Sequence, residues 1–264
     1  MTRARGGRRA KPRASVGLVI IGVLGELFLT AGVLVLLFLG WQLWLNDIIV
    51  GNEQRDAALE FSESLSRDAP EKPSDDEPAG PDEPETPTEP DAPVSTVAPV
   101  ENQAFATLFV PRFGADYARK IAEGVSLPKI LNRPELGVGH YPGTQLPGEV
   151  GNFALAAHRT TWGKLFAEIG ELQLGDKIYV QTVDGWYTYT FRNLEYVMPT
   201  EVEVIAPVPQ APEIEASERF ITLTSCNPRF SAAERIIAYG VLESWQPASE
   251  GMPAELAALW EGTA

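Results

Sequence analysis

The chain has 264 residues, of which 44% are hydrophobic, and it carries a formal net charge of -15 at pH 7. This acidic balance argues against a nucleic-acid partner, because phosphate binding requires clustered lysine and arginine side chains. The single cysteine excludes an intrachain disulfide, and with only two histidines in the chain no metal site and no cofactor are expected. Any chemistry must therefore come from few reactive groups.

The N-terminal segment, residues 1–15, is basic and precedes a long apolar run, residues 16–45, whose only charged or amide side chains are Glu26 and Gln42. This run exceeds the roughly 20 apolar residues that span a bilayer. We expect one transmembrane anchor with a cytoplasmic N-terminus and an extracellular remainder, because positive residues flank the cytoplasmic end of a span. A cleaved signal peptide is the alternative, but its apolar core usually has only about 7 to 15 residues.

The composition of residues 46–102 predicts a stalk followed by an extracellular linker. The part from Gly51 to Leu65 is compatible with a short polar helix, and the part from Ala69 to Pro99 is dense in proline and acidic residues. Such a composition cannot bury a core and favours an extended, self-repelling spacer. One compact catalytic domain is then expected over residues 103–247, followed by a C-terminal tail, residues 248–264.

Short apolar runs punctuated by glycine and proline predict a mainly β domain. The predicted strands are Ala106–Val110, Asn152–Ala157, Lys177–Thr182, Trp186–Val197, Phe220–Ser225 and Arg235–Ser244. Asp184 and Gly185 form a hairpin signal between two of them. Short helices are expected at Leu127–Asn132 and Lys164–Ile169, and the whole pattern favours a closed barrel or a sandwich.

Two of these strands deliver a reactive residue at their ends, namely His158 and Cys226. A thiol becomes a strong nucleophile as the thiolate, which needs a neighbouring cation or base. Arg235 begins the following strand, so that a tight loop brings its guanidinium back towards the sulfur, where it can bind a developing oxyanion. We therefore predict a catalytic set of Cys226, His158 and Arg235.

Other interpretations of these residues remain open at the level of sequence. A lone cysteine is usually a small buried hydrophobic residue, and His158 is also compatible with a core position. His140 competes for the catalytic role, and we prefer His158 because a strand end holds a side chain better than a glycine- and proline-rich loop does. Arg229 is the alternative to Arg235. Thr224 precedes the cysteine by two residues and is expected to share its face of the strand.

The motifs around these residues resemble those of the sortases, most closely the class E sortases of Actinobacteria. Residues Thr222-Leu223-Thr224-Ser225-Cys226 resemble the T-L-x-T-C signature, and Ala157-His158-Arg159 resembles the histidine motif G-H-R. Arg235 falls where the arginine of the family follows its cysteine, and Gly137 to Pro142 is similar to the loop before the histidine strand. Ala157 replaces the common glycine and Ser225 the common threonine.

The resemblance implies a sortase-type closed barrel of about eight strands with short helices, and a groove that ends at Cys226. It also implies a cysteine transpeptidase that cleaves a C-terminal sorting signal of the LAxTG or LPxTG type between Thr and Gly. The acyl group would pass to an amine of a peptidoglycan precursor, the lipid II stem peptide. The partners would be secreted proteins that carry such signals. The protein itself would be located in the plasma membrane.

Substrate contacts are expected from Thr224, Ser225 and His140, with a turn-capping role as the alternative for His140. Two other functions are considered. A pilin-polymerising sortase would use the same chemistry, but the acidic linker lacks the pair of acidic and aromatic residues that marks a pilus-type lid. A membrane-tethered, non-catalytic domain that binds the cell wall is the alternative of another class.

Overall fold

The computed structural model describes residues 16–41, 45–70, 95–96 and 98–261. The chain divides into two compact units between Asn46 and Asp47. The predicted basic segment, residues 1–15, and most of the predicted proline-rich linker lie outside the described residues.

The first unit contains one helix, α1, which spans Val16–Gly40. Within it, Val19–Gly40 is long and apolar enough to cross a membrane, and none of this stretch is buried by other parts of the protein. An unburied apolar helix of 22 residues matches the thickness of the hydrocarbon core, because each residue rises about 1.5 Å. The helix is therefore a candidate membrane anchor.

The second unit is built around a closed barrel of eight strands, which confirms the predicted fold class. The strands are β1 (Ala104–Phe109), β2 (Ala118–Glu123), β3 (Val138–His140), β4 (Gly151–Ala156), β5 (Lys177–Gln181), β6 (Gly185–Val197), β7 (Arg219–Asn227) and β8 (Glu234–Pro247). Their order around the barrel is β1-β2-β3-β4-β7-β8-β6-β5. Pairing of β1 with β5 closes it, and β4 runs parallel to β7.

Alternation of side chains along the strands separates the barrel interior from its outer face. The interior is a single apolar cluster that includes Phe153 and Leu155 of β4, Ile221 and Leu223 of β7, and Ile236 of β8. The residues between them, such as Thr222, Thr224 and Ile237, point outwards. This alternation decides which side chains can meet beside Cys226.

Each of the six strands predicted from sequence corresponds to an observed strand, and the hairpin joins β5 to β6 as expected. Strand β2 escaped prediction because its sequence, ARKIAE, is largely polar, and β3 because it has only three residues. The helix predicted at Lys164–Ile169 was wrong, since this segment forms turns and a short helical turn begins only at Ile169. Lys164 has a φ of 52°, which a right-handed helix does not allow.

Two helices pack on the outside of the barrel. Helix α2 spans Asn46–Arg67, and helix α3 spans Ala254–Glu261. Ala58 of α2 and Leu256 of α3 are fully buried in one cluster with strand residues, which include Phe109, Tyr179 and Trp186. The segments that the sequence suggested as a stalk and a tail thus contain residues packed against the barrel wall.

Candidate active site

Three adjacent strands bring the candidate catalytic residues together. Cys226 lies at the end of β7 and is paired directly with Arg235 at the start of the antiparallel strand β8. On the other side, β4 runs parallel to β7 with Ala156 opposite Thr224. Strand β4 ends at Ala156, and the backbone nitrogen of Ala157 still donates to the carbonyl oxygen of Thr224 at 3.2 Å. Extending this register by two residues, we infer that His158 lies at the level of Cys226. Because neighbouring strands lie about 4.8 Å apart, the cysteine is flanked by a histidine on one side and an arginine on the other.

All three residues belong to the outer face of the barrel. Leu223 and Ile236 face the interior, so Cys226 and Arg235, which are three and one positions away, face outwards. Residue 158 has the same parity as Ala156, which packs in an outer-face cluster with Ile130 and Leu131. Cys226 is a free thiol and only partly buried. A peptide that lies on this outer face can therefore reach the sulfur.

The ring of His158 is held by an asparagine that sequence reasoning did not identify. Nε2 of His158 lies 2.7 Å from Oδ1 of Asn132, which follows the short helical turn Leu127–Leu131. An amide oxygen only accepts hydrogen bonds, so Nε2 carries the proton in this pair. Burial lowers the pKa of His158 below its ordinary value of 6.5, because it disfavours the charged imidazolium. Burial thus favours the neutral form of the ring.

The structure also distinguishes the two candidate arginines. Nη1 of Arg235 donates to the carbonyl oxygens of Ala232 at 3.1 Å and Glu234 at 2.9 Å, which ties the guanidinium to the turn between β7 and β8. Arg229 instead donates to the carbonyl oxygen of Ala167 at 2.9 Å and to the carboxylate of Glu168 at 3.3 Å. Strand pairing therefore puts Arg235, and not Arg229, next to the sulfur.

A second arginine, Arg159, forms a hydrogen bond with Asn227, the residue that follows Cys226. Nη1 of Arg159 donates to Oδ1 of Asn227, and the amide nitrogen of Asn227 donates to Glu234 at 2.8 Å. This chain of hydrogen bonds joins the ends of β4, β7 and β8 on either side of Cys226. Arg159 was part of the histidine motif, and its position directly after His158 was the only sequence signal for this role.

A pair of hydroxyl groups lies on the cysteine face. Thr224 is buried, and its Oγ1 lies 3.0 Å from the phenolic oxygen of Tyr141. Tyr141 comes from the segment after β3 and packs against the outer-face cluster around Ile130 and Leu131. Thr224 thus shares the face of Cys226, as its spacing of two residues predicted. Tyr141 lies between Gly137 and Pro142, and no sequence pattern there predicts its contact with Thr224.

The other two residues expected to contact substrate face the barrel interior. Ser225 is 4% exposed, and its hydroxyl donates to the carbonyl oxygen of Ala157 at 2.7 Å. His140 is 2% exposed, and its Nδ1 lies 2.5 Å from a carboxylate oxygen of Glu123. Both side chains point away from the face that carries Cys226. A substrate contact of either residue therefore stays a prediction, and the contacts seen here are with the end of the barrel.

His140 is also not in a loop, as the sequence suggested, but at the end of β3. Its Nε2 lies 2.9 Å from the hydroxyl of Thr144, and its ring packs against Phe105 and Phe153. This arrangement matches the turn-capping alternative. Within the part of the chain that the structure describes, no cluster of three or more His, Cys, Asp or Glu residues is placed to hold a metal ion.

A thiol placed between an imidazole and a guanidinium is suited to attack on a carbonyl carbon. The imidazole can exchange a proton with the thiol or a leaving group, and the guanidinium can stabilise an oxyanion. The three strand ends and the network through Asn227 hold these groups in place. The geometry therefore favours covalent catalysis by Cys226.

Comparison with known proteins agrees with this geometry. Residues 108–243 match the profile of the sortase domain. The chain is 34% identical to the sortase SrtE1 of Streptomyces coelicolor over 96% of its own length, and it spans 65% of the length of that relative. It is similar in structure to an SrtA sortase from Actinomyces oris, with 38% identity, a TM-score of 0.57, and coverage of 62% of this chain and 93% of the other.

A crystal structure of sortase E1 from Streptomyces coelicolor, which holds a tripeptide in its active site, is likewise similar. The identity is 38% and the TM-score 0.55, with 60% of this chain and 99% of the other covered. The resemblance to class E sortases is thereby confirmed. The chain belongs to the sortase family, whose members are cysteine transpeptidases.

Proposed function

We propose that this protein is a membrane-anchored transpeptidase that cleaves a C-terminal sorting signal between Thr and Gly, with Cys226 as its nucleophile. The observation that carries the proposal is the adjacency of β4, β7 and β8. The pairing of Cys226 with Arg235 and the parallel register of β4 beside β7 support a set in which His158 and Arg235 act on either side of the sulfur. No other described thiol competes for the role, since Cys226 is the single cysteine of the chain.

The first half-reaction forms an acyl-enzyme. Neutral His158 takes the proton of the Cys226 thiol, and the thiolate so formed attacks the carbonyl carbon of the threonine in the signal. The guanidinium of Arg235 and a backbone N–H stabilise the oxyanion. The imidazolium of His158 protonates the nitrogen of the departing glycine as the C–N bond breaks. The products are a thioester at Cys226, a neutral His158 and the released C-terminal peptide.

The second half-reaction transfers the acyl group. An amine of a peptidoglycan precursor, the lipid II stem peptide, attacks the thioester, and neutral His158 accepts the proton that the amine loses. The thiolate leaves, which regenerates the enzyme. The lowered pKa of His158 suits both steps, because a weakly basic imidazole gives up its proton readily once it is charged and is neutral when it must accept one.

The substrate side of this proposal concerns Thr224 and Tyr141. Their hydroxyls are paired on the face of β7 that carries Cys226, and Tyr141 packs against the apolar cluster around Ile130 and Leu131. Such a surface suits a signal of the LAxTG or LPxTG type, in which one small or apolar residue follows an apolar leucine. The clients are then secreted proteins that carry this signal at the C-terminus.

The location follows from the candidate anchor α1. The basic residues that precede it in the sequence favour a cytoplasmic N-terminus, so the barrel would work on the outer side of the plasma membrane. The proline-rich and acidic stretch between residues 69 and 99 would let the domain reach the cell wall. Substrate signal and acceptor amine are both available on that side.

Cleavage of fluorogenic sorting peptides by the full-length chain in detergent tests the proposal. The assay contains an amine acceptor, and mass spectrometry follows the acyl-enzyme. We expect a thioester adduct on the wild type and none on Cys226→Ala. Cleavage of neither LAxTG nor LPxTG peptides by a folded wild-type protein would contradict the proposal.

A matched pair of arginine variants tests the oxyanion assignment in the same assay. Arg235→Ala should lower kcat by on the order of a hundredfold, because it removes a donor aimed at the developing negative charge. Arg229→Ala should change kcat little, since its guanidinium is bonded to Ala167 and Glu168. Similar losses in the two variants would exclude a specific role for Arg235.

A further inference from the structure

A side chain of helix α2 is inserted between the two segments that hold the catalytic histidine. Gln54 is 1% exposed, although the sequence suggested a polar stalk for this region. Its Nε2 donates to the carbonyl oxygen of Arg133 at 3.4 Å and to that of Trp162 at 3.3 Å. One amide group thus bridges two backbone segments that are far apart in the sequence.

Both segments are in direct connection with His158. Arg133 follows Asn132, the residue that accepts the hydrogen bond from the His158 ring. Trp162 lies in the loop that leaves His158, and the backbone nitrogen of Phe166 closes this loop by donating to the carbonyl oxygen of His158 at 3.0 Å. A shift of either segment would therefore move the imidazole relative to the sulfur of Cys226.

The site is shaped to receive this glutamine. A Cβ atom at Gly163 would overlap with Oε1 of Gln54, and one at Gly137 would lie 2.8 Å from its Nε2. Both glycines have positive φ values, 86° and 94°, so each position suits glycine for conformational reasons as well. The side chain of Gln54 fills a space that stays open because Gly137 and Gly163 have no Cβ atom.

The loop that receives the amide is conformationally costly. Trp162, Gly163 and Lys164 have φ values of 55°, 86° and 52° in succession. Non-glycine residues in this left-handed region each cost about 1 kcal/mol or more, so such a loop persists only when its surroundings hold it. The hydrogen bond from Gln54 is one of the contacts that can hold it.

We propose that Gln54 is a positioning residue for catalysis, which sets the location of the His158 ring by tying the Asn132 turn to the histidine loop. The helix next to the membrane anchor is then part of the catalytic apparatus, and not only a stalk. The inference rests on the proposed role of His158. It predicts that the chemical step depends on a residue that does not touch the substrate.

Helix α2 offers a matched control, because a second polar contact anchors it elsewhere. The hydroxyl of Ser62 donates to Oε1 of Gln181 at 2.5 Å, on strand β5. Loss of this contact should loosen the docking of the helix about as much as loss of the Gln54 contacts. Loss of the Ser62 contact does not change the hydrogen bonds of the two segments around His158.

The experiment compares Gln54→Met, Gln54→Glu and Ser62→Ala in the full-length chain, with kcat, KM, thermal unfolding and the NMR titration of the His158 ring as readouts. Gln54→Met keeps the volume but cannot donate, and Gln54→Glu places a carboxylate against two carbonyl oxygens. We expect both to lower kcat at least about tenfold with little change in KM and to shift the His158 titration, as a displaced catalytic group would. Ser62→Ala should lower only the unfolding temperature.

Wild-type kcat and an unchanged His158 titration in Gln54→Met would overturn the inference, as would an equal loss of kcat in Ser62→Ala. If either Gln54 variant fails to fold, it is replaced by Gln54→Asn under the same criteria. The asparagine side chain carries the same amide but is one methylene shorter. His158→Ala separates this inference from the proposed function. Activity in His158→Ala would refute the catalytic assignment itself, whereas an inactive His158→Ala beside an active Gln54→Met would refute only the positioning role.

Discussion

At the scale of single residues, the surroundings of His158 shift the pKa of the histidine that we propose as catalytic. Burial lowers its pKa, and Asn132 holds its Nε2 at 2.7 Å without adding charge. In the folded state the ring therefore binds fewer protons than in the unfolded state. Its contribution to stability is complete above the ordinary pKa of 6.5 and is lost as the pH falls from that value through the lower pKa of the folded state.

Replacing the neutral partner by a charged one should reverse the shift. Asn132→Asp places a carboxylate next to Nε2, which favours the imidazolium, so we expect the pKa of His158 to rise above its wild-type value. NMR titration of the ring in a Cys226→Ala background measures this pKa without coupling to the thiol. Asn132→Ala serves as the control without charge. A pKa that stays the same in Asn132→Asp would show that the two side chains are not in contact.

For His140, the other histidine, we predict a structural role. It is buried between aromatic rings, and its Nδ1 contacts Glu123. His140→Ala should lower the free energy of unfolding by about 2–4 kcal/mol, because it leaves a largely buried carboxylate without a partner and opens a cavity. Chemical denaturation measures the loss. Turnover should remain measurable below the unfolding temperature, whereas abolished turnover in a folded variant would return His140 to the list of catalytic candidates.

At the scale of elements, the position of the site depends on strand order. Strand β7 lies between β4 and β8, which are distant from each other in the sequence, so the residue at its end receives one neighbour from each side. Parallel pairing of β4 with β7 brings two strand ends to the same edge of the barrel. The register then pairs Arg235 with Cys226, and not with a neighbouring residue, and aligns the end of β4 with Thr224 of β7.

Strand β3 is short, and its integrity depends on close backbone approach. A Cβ atom at Gly139 would overlap with the carbonyl oxygen of Gly124, and Gly124 donates to the carbonyl oxygen of His140 at 2.9 Å. Gly139→Ala should therefore separate β2 from β3 and cost about 1–3 kcal/mol, as overpacking does. A lowered midpoint in denaturant unfolding would show this effect. An unchanged midpoint would mean that the two strands can move apart freely.

At the scale of the whole molecule, segments from both sides of the barrel in the sequence pack on its wall. Helix α2 precedes the barrel and α3 follows it, and the two share one apolar cluster on the outer face of β1, β2, β5 and β6. The sequence predicts a polar stalk for α2 and a tail for α3, whose sequence AELAALWE is short but mostly apolar. Their buried side chains are few, so their packing is not visible as a hydrophobic run.

A matched pair of leucine variants in α3 tests this packing. Leu256 is 0% exposed and Leu259 is 46% exposed. Leu256→Ala should lower the free energy of unfolding by about 2–4 kcal/mol, because it leaves a cavity next to Phe109 and Trp186. Leu259→Ala should change it by less than about 1 kcal/mol. Equal effects in thermal or denaturant unfolding would indicate that α3 does not dock on the barrel in solution.

The fold class was predictable because its signals are local. Short apolar runs punctuated by glycine and proline marked β1 and β4 to β8, and a hairpin signal marked the turn between β5 and β6. Strand β2 was missed because its charged side chains mask the alternation, and the helix at Lys164–Ile169 was wrongly predicted because Leu165, Phe166 and Ile169 share helical spacing. In the structure these three side chains enter the core from a chain of turns.

The sequence by itself determined the apolar candidate anchor, the strand-rich domain and the small set of reactive side chains, because composition and periodicity act over a few neighbouring residues. Only the tertiary structure decided which side chains meet: Asn132 with His158, Arg159 with Asn227, and Gln54 with the loops around the histidine. It also turned Ser225 and His140 into the barrel. The reason is physical, since a contact between residues far apart in the chain depends on strand order and register, and no local pattern encodes these.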